Sequence, residues 1–367
     1  MSLSSLGAGA LAFLSLFSGQ DGRAPADAPA DAPPDPIDRV IEAAMAADEL
    51  PSVALVVGRA GAIVKQAAYG EASLERHVPA TTRTLYPIAS ATKSMTSTAV
   101  FLLVREGKFS LEDSITELLP GLPDSWLEVT PRHLLTHTSG LPDVAATPGR
   151  EPLIAATRED ALAKLTALPL VSAVGTRWAY NQTNYLLLLM LVEKYGERPF
   201  EAFVRERLFE PLGLQATVFG DSDDDIPGRA SMYERRDGAW HARQSHFPPF
   251  MRGAAGVNTS VEDWYRWADA WAHAKLLPQA DLDVLWAPAE LASGARVSLG
   301  SDTSYGCGVM VGTRAGQRSV GHSGGGNAAF RYFIDEDLLV VMATNGQTQE
   351  DALLERIAEA ARTIPAK

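Results

Sequence analysis

Residues 86–104 read Tyr86-Pro87-Ile88-Ala89-Ser90-Ala91-Thr92-Lys93-Ser94-Met95-Thr96-Ser97-Thr98-Ala99-Val100-Phe101-Leu102-Leu103-Val104. Pro87 keeps its neighbour extended, while Ala99, Leu102, Leu103 and Val104 carry helical spacing, so the stretch predicts a helix beginning at Ser90. A Ser at a helix N-terminus feels the positive end of the peptide dipole, and its own N–H is free to bind an oxyanion. Lys93, three residues on, lies on the same helix face within reach of Ser90 Oγ. Where packing and nearby cations desolvate such a Lys, its pKa falls and the neutral amine can accept the hydroxyl proton. Four residues thus hold a nucleophile and a base. The bland alternative is a helix cap followed by a surface Lys. The company the stretch keeps decides between them.

On either side of it the chain changes character. Ile37 to Leu50 has helical spacing of Val40, Ile41, Ala44 and Met45. Ser52 to Val57 and Ala62 to Tyr69 are β-rich runs around Gly58-Arg59-Ala60-Gly61, which predicts a hairpin. Near the other end, Arg318 to Gly321, Phe330 to Ile334 and Leu338 to Thr344 read as three strands. A helix carrying Ala352, Leu353, Ile357, Ala358 and Ala361 follows them. Between these ends the pattern is mostly helical. Thr130-Pro131 is an N-cap with Pro at the first helical position. Asn184 to Tyr195, Phe200 to Phe209 and the Trp-rich Thr259 to Ala272 all carry helical spacing. The expected fold class is α+β: an antiparallel sheet built from both ends of the chain and flanked by N- and C-terminal helices, with a mostly helical domain inserted. The expected boundaries are 37–84 with 296–367 for the sheet domain and 85–295 for the helical domain.

Composition removes whole classes of function. The 367 residues fit one large domain or two intertwined ones, and 46 % apolar with 21 % charged residues is an ordinary globular balance. With 32 Lys and Arg against 45 Asp and Glu, the formal charge is −13, and no basic run offsets it. That is a poor match for a nucleic-acid partner. The single Cys307 rules out an intramolecular disulfide framework and a Cys-based zinc site. No apolar run reaches the roughly 18–20 residues of a membrane-spanning helix, so no integral membrane domain is expected.

Residues 1–36 form a separate extension. Leu6 to Phe17 has the size of a signal-peptide apolar region, although no Lys or Arg precedes it. A Pro/Ala/Asp repeat from Ala24 to Pro34 reads as an extended spacer. Export signal plus spacer is the preferred reading, which favours a secreted or periplasmic location over a cytoplasmic one.

Two other motifs fail on context. Gly321-His322-Ser323-Gly324-Gly325 fits a G-x-S-x-G nucleophile elbow, but a β pattern rather than a helix follows, and no His lies after His322. His133 and His137 have the i, i+4 spacing of zinc ligands, but Leu134 stands where a metalloprotease needs Glu, and no third ligand is evident. They read as structural histidines near a helix end. Trp264, Trp267 and Trp271 read as core, the Asp221 to Asp225 run as a solvated loop, and Cys307 as a packed small residue in a strand-like run.

Three stretches together resemble the penicillin-recognising serine hydrolases, in the branch of class C β-lactamases, related esterases and D-amino-acid peptidases. They are Ser90-Ala91-Thr92-Lys93, Tyr180-Asn181-Gln182 with the helix after it, and His322-Ser323-Gly324. Arg132 to Leu141 and Phe209 to Leu214 support the likeness, which spans residues 37–362 in matching order and spacing. It implies Ser90 as nucleophile, Lys93 as base and Tyr180 as the phenol that shuttles the proton and later helps activate water. The N–H groups of Ser90 and Gly325 would form the oxyanion hole, a type of donor whose loss raises a barrier by about 3–4 kcal/mol. Gln182, His322, Ser323 and Gly324 would line the substrate, and no metal or cofactor is required.

Two positions depart from the family pattern. Gln182 replaces the Asn of Tyr-x-Asn, which in the family helps hold the Lys and the substrate's acyl-side amide, and carries its amide one methylene further out, shifting donor and acceptor by more than about 1 Å, so poor binding of substrates with a side-chain amide, penicillins included, is expected. His322 replaces a Lys, exchanging a permanent ammonium for a group mostly neutral at pH 7, which points to neutral esters or amides rather than carboxylate-bearing β-lactams. A carboxylesterase acting on short acyl esters is therefore the first expectation. A D-amino-acid peptidase, DD-carboxypeptidase, weak β-lactamase or transesterase on the same residues is the runner-up, and a non-catalytic binder or sensor is the rival from another class. Natural substrate and oligomeric state are left open by the sequence.

Overall fold

Strand β1 (Ser52–Arg59) alternates strictly between two apolar environments, and this places it at the centre of the molecule. Val53, Leu55 and Val57 belong to one buried cluster, and Ala54 and Val56 to the other. The computed structural model describes residues 35–48, 50–145, 157–300, 302–314 and 316–365; the apolar stretch and spacer expected within residues 1–34 lie outside them. Residues from Pro36 onward form one compact unit.

Among the described residues, eight strands make the main sheet. They are β1, β2 (Ala62–Ser73), β3 (Val78–Pro79), β4 (Thr303–Tyr305), β5 (Met310–Arg314), β6 (Gln317–Gly324), β7 (Ala328–Phe333) and β8 (Leu338–Thr344), in the spatial order β3-β2-β1-β8-β7-β6-β5-β4. Every neighbouring pair is antiparallel. The two ends of the chain meet where β1 pairs with β8, from Val53 opposite Thr344 to Arg59 opposite Leu338. The predicted strands and hairpin are present; three strands run two to four residues longer, the one expected over Phe330 to Ile334 is Ala328–Phe333, Leu338–Thr344 has the expected bounds, and the hairpin turns on Ala60 (φ 51°) and Gly61 (φ 76°).

Helices α1 (Pro36–Asp48) and α5 (Glu350–Arg362) cover one face of the sheet. The other face packs on the helical layer, which includes α2 (Thr92–Arg105), α3 (Gln182–Gly196) and α4 (Val261–Ala272). The fold class is α+β, as expected. Trp264, Trp267 and Trp271 of α4 are buried and each packs on Phe330 of β7 at ring distances of 5.4–5.8 Å, so the Trp series is core.

Two local expectations need correction, and one is met. The helix predicted over Phe200 to Phe209 is α-helical only for Phe200–Val204 and then widens to a π turn over Arg205–Phe209. Pro211 follows at once, and without an N–H it cannot continue the i→i−4 ladder. His133 lies in the helix Pro131–Leu135 and His137 just beyond its end with φ 59°, in keeping with structural histidines near a helix end. The two imidazoles therefore share no helix face. Cys307 sits in a bend between β4 and β5 rather than in a strand. Burial pushes its thiol pKa up to about 12, which suits a packed residue and not a nucleophile.

Candidate active site

Ser90 occupies a single 3-10 turn, Ala89–Ala91, and the α-helix proper begins two residues later at Thr92. Ala89 carries φ 41°, a left-handed conformation that costs a residue with a Cβ about 1–2 kcal/mol. Neighbouring elements hold the turn in place. Ile88 N–H donates to Val257 O, and the end of β6 runs directly against it. A Cβ added to Gly324 would meet Ile88 O at 2.2 Å and Ser90 N at 2.8 Å, and one added to Gly325 would meet Ala89 Cβ at 3.2 Å. This is why the third motif ends in glycines: strand and nucleophile turn approach backbone to backbone.

Lys93 lies in the first turn of α2 and is fully buried. Its Nζ is 2.9 Å from Gln182 Oε1, 2.9 Å from Ala254 O and 3.3 Å from Ser90 Oγ. Desolvation brings its pKa down to about 7, against a smaller opposing pull from the Asp143 carboxylate. At neutral pH the amine is thus divided between its two forms. The neutral form reverses the contact with Ser90, accepting the hydroxyl proton instead of donating.

Tyr180 is held beside both groups. Its phenol faces Ser90 closely enough for that hydroxyl to pull its pKa down against burial, and Lys93 Nζ lies 4.8 Å from its ring centroid. Burial raises the phenol pKa well above its ordinary range, so Tyr180 stays protonated at neutral pH. Asn181 caps α3 by accepting from Thr183 N–H, while its amide donates to Leu141 O at 2.6 Å. Asp143 Oδ1 accepts from Gln182 N–H at 3.0 Å, a second cap from a distant loop that starts α3 at Gln182 instead of at Asn184. Gln182 thereby reaches Lys93 in spite of its extra methylene.

The third motif is divided between two faces of the sheet. His322, 1 % exposed, donates from Nδ1 to Ser323 O at 2.6 Å and accepts at Nε2 from the Tyr305 phenol at 3.0 Å. Burial and the nearby Lys93 push its pKa down to about 3. A neutral ring with both nitrogens engaged has nothing left for a ligand. Ser323 points the other way, as strand alternation requires, and donates to Asp351 Oδ2 on α5 at 3.0 Å. Of the residues expected to line the substrate, Gln182, Gly324 and Gly325 gather at Ser90, whereas Ser323 does not and His322 stands behind Tyr305.

Several residues to which the sequence reading gave no part in the site shape this centre. His137 is buried against Tyr180, Tyr185 and Tyr305 at ring distances of 4.4–5.3 Å, and its Nδ1 accepts from Asn181 N–H and Asn184 Nδ2. Burial keeps it neutral, with a pKa well below the usual imidazole range. Ala254 and Asp143, both acting on Lys93, carried no motif. Asn181 did carry a signal, since an Asn just before an apolar helical run is a favoured cap.

A family model described as Beta-lactamase matches residues 37–363. Among curated proteins, the chain is 31 % identical over 201 residues to an N-acetylmuramyl-L-alanine amidase of Bacillus subtilis (strain 168), covering 50 % of this chain and 45 % of that protein. Penicillin-binding protein 4* of the same organism is 26 % identical over 288 residues, 74 % of this chain and 62 % of that one. A putative D-alanyl-D-alanine carboxypeptidase of Escherichia coli (strain K12) is 32 % identical over 216 residues, 52 % and 49 % of the two chains. The matches thus span 45 to 62 % of these relatives' lengths. Solved structures share the fold. A D-amino acid amidase from Ochrobactrum anthropi SV3 matches with a TM-score of 0.75 at 23 % identity, over 89 % of this chain and 98 % of that one. The hydrolase EstCE1 matches with a TM-score of 0.75 at 18 % identity, over 89 % and 97 %. With a family model covering nearly every residue from Ile37 to Thr363, and this fold beneath it, the chain belongs to the beta-lactamase family.

Proposed function

We propose that this protein is a serine hydrolase working through an acyl-enzyme on Ser90, and that its substrates are short acyl esters. The observation that carries the reading is Lys93, an amine with its pKa brought to about 7 and its Nζ 3.3 Å from Ser90 Oγ. A surface Lys that happened to follow a cap would be exposed and charged.

The chemistry follows from the protonation states. Neutral Lys93 takes the Ser90 proton as Oγ adds to the acyl carbonyl. The oxyanion so formed is met by the N–H groups of Ser90 and Gly325. Collapse breaks the bond to the leaving alcohol, which receives the proton through the Tyr180 phenol. Water then adds to the acyl-enzyme while the same groups take its proton; the bond from the acyl carbon to Ser90 Oγ breaks, Oγ receives that proton, and the carboxylic acid departs. Tyr180 serves as relay rather than base, because its raised pKa keeps the phenol protonated. Amide hydrolysis would use the same residues with a poorer leaving group, so peptides or β-lactams are the slower substrates on this reading.

The test is intact-protein mass after a stoichiometric fluorophosphonate, alongside hydrolysis of 4-nitrophenyl acetate and nitrocefin. One adduct on Ser90, sustained ester turnover and little nitrocefin cleavage are expected. Full turnover in Ser90→Ala would overturn the site, and labelling without turnover would make the protein a binder.

A further inference from the structure

Tyr180 stands in a segment without regular structure, residues 177–181, so no helix or strand ladder fixes its place. His137 does so from another loop. Its carbonyl accepts from Ala179 N–H at 2.9 Å and its Nδ1 from Asn181 N–H at 3.2 Å, which ties down the residue on each side of Tyr180. The His137 ring lies 4.4 Å from the Tyr180 ring, centroid to centroid. Asn184 Nδ2 donates to the same Nδ1 at 3.0 Å, while Asn184 Oδ1 accepts from Ser139 Oγ at 2.6 Å. The imidazole is thus fixed to α3 as well as to the segment before it.

These contacts fix which nitrogen carries the proton. A main-chain N–H can only donate, so Nδ1 is bare and the proton sits on Nε2. That Nε2–H is buried and has no hydrogen-bond partner among the described residues. The backbone at His137 is left-handed besides, with φ 59°, where a residue with a Cβ is disfavoured. An orphaned donor and a strained backbone at one buried residue both work against the fold, and such features gather where function requires them. A ring kept only for packing would need no nitrogen at this place.

We propose that His137 is a positioning residue of this centre: by clamping Ala179 and Asn181 and packing on the ring between them, it aims the Tyr180 phenol at the leaving group and so sets how poor a leaving group can be expelled. The inference rests on the acyl-enzyme reading above, with Tyr180 as proton relay. The proton that Lys93 takes from Ser90 passes through the phenol to the alkoxide oxygen as the bond from that oxygen to the acyl carbon breaks. A leaving group needs this proton only where its anion is unstable. Loss of aim should therefore spare esters of acidic phenols and slow esters of aliphatic alcohols, a split that general damage to the fold does not make.

The experiment uses the full chain and compares kcat/KM for ethyl acetate, whose ethoxide must be protonated, with that for 4-nitrophenyl acetate, whose phenolate leaves unaided. His137→Phe keeps a ring but removes the Nδ1 acceptor, and is expected to lower the ethyl-to-nitrophenyl ratio about tenfold or more. His137→Asn returns an acceptor near the Nδ1 position and tolerates positive φ, so the ratio should recover in part. Tyr180→Phe should lower the ratio at least as far, and adding His137→Phe to it should lower it no further, because the one residue acts through the other. Equal slowing of both esters in the His137 variants would mean that His137 only braces the fold and would overturn the proposal. So would a further fall of the ratio in the double variant. A measurement without any variant covers the case in which the substituted chains do not fold: the imidazole nitrogen-15 spectrum at neutral pH should show His137 with its proton on Nε2. A proton on Nδ1 would remove the Asn181 contact and the proposal with it. An unchanged ratio in Tyr180→Phe would remove the relay itself, and turnover surviving in Ser90→Ala the acyl-enzyme reading, so these failures are distinguishable.

Discussion

Lys93 carries the most consequential single pKa in the molecule, because its neutral form is the one that can take a proton from Ser90. With a folded pKa of about 7, the competent fraction grows as pH rises through neutrality. The kcat/KM for 4-nitrophenyl acetate should therefore climb with an apparent pKa near 7 and level off above it, in a profile measured from pH 5 to 9. A profile flat across that range would place the base elsewhere. Lys93→Met should lower kcat/KM by about 10²- to 10⁴-fold, the usual size of a lost general base. The same shift has a consequence for stability. Between pH 7 and the ordinary Lys value of 10.5 the unfolded chain binds more protons than the folded one, so this residue makes stability rise with pH. Denaturant unfolding at pH 7 and pH 9 should show that gain in the unaltered protein and a smaller one in Lys93→Met.

Between elements, the decisive contact is the end of β6 against the Ser90 turn. A methyl at Gly324 would have to displace Ile88 O and the nitrogen of Ser90 itself, both main-chain atoms with little room to move. Gly324→Ala should therefore abolish fluorophosphonate labelling while far-UV circular dichroism stays near that of the parent. The β1–β2 hairpin offers the opposite case. Ala60 and Gly61 both hold positive φ, the pattern of a type I′ turn, for which Asn-Gly is the favoured pair. Ala60→Asn should stabilise by up to about 1 kcal/mol, since it removes most of the left-handed penalty, and the change in denaturation midpoint reads it. Labelling at Ser90 should not change, because the turn lies outside the site.

At the scale of the whole molecule, the two ends of the chain supply its middle. β1 and β8 pair along their lengths, and α1 and α5 pack together on the same face of the sheet. Damage to the C-terminal helix should therefore be felt globally and not as local fraying. Leu354, a fully buried residue of α5, is a suitable probe: Leu354→Ala should cost about 2–5 kcal/mol and shift a single cooperative transition. A separate early transition in calorimetry would show that α5 melts alone. Catalytic turnover per folded molecule should hold near the parent value, since Leu354 belongs to the cluster on the face away from Ser90.

The sequence alone determined the α+β class, the terminal strands and helices, and the Ser90–Lys93 pair, because these are written in local periodicity, capping and a short spacing; Tyr180 was joined to that pair only by the family resemblance. It could not determine where Gln182 ends up. The extra methylene shifts the amide, and the cap that Asp143 lends to α3 from 39 residues away brings it to 2.9 Å from Lys93. Nor could it separate His322 from Ser323, adjacent letters of one motif that strand alternation sends to opposite faces. The pKa values of Lys93 and His322 belong to tertiary structure for the same reason. Desolvation depends on everything packed around a group, and the atoms that exclude water from Lys93 come from segments scattered across the chain. His137 is the extreme case. Spacing paired it with His133, and only the fold sets its ring against Tyr180.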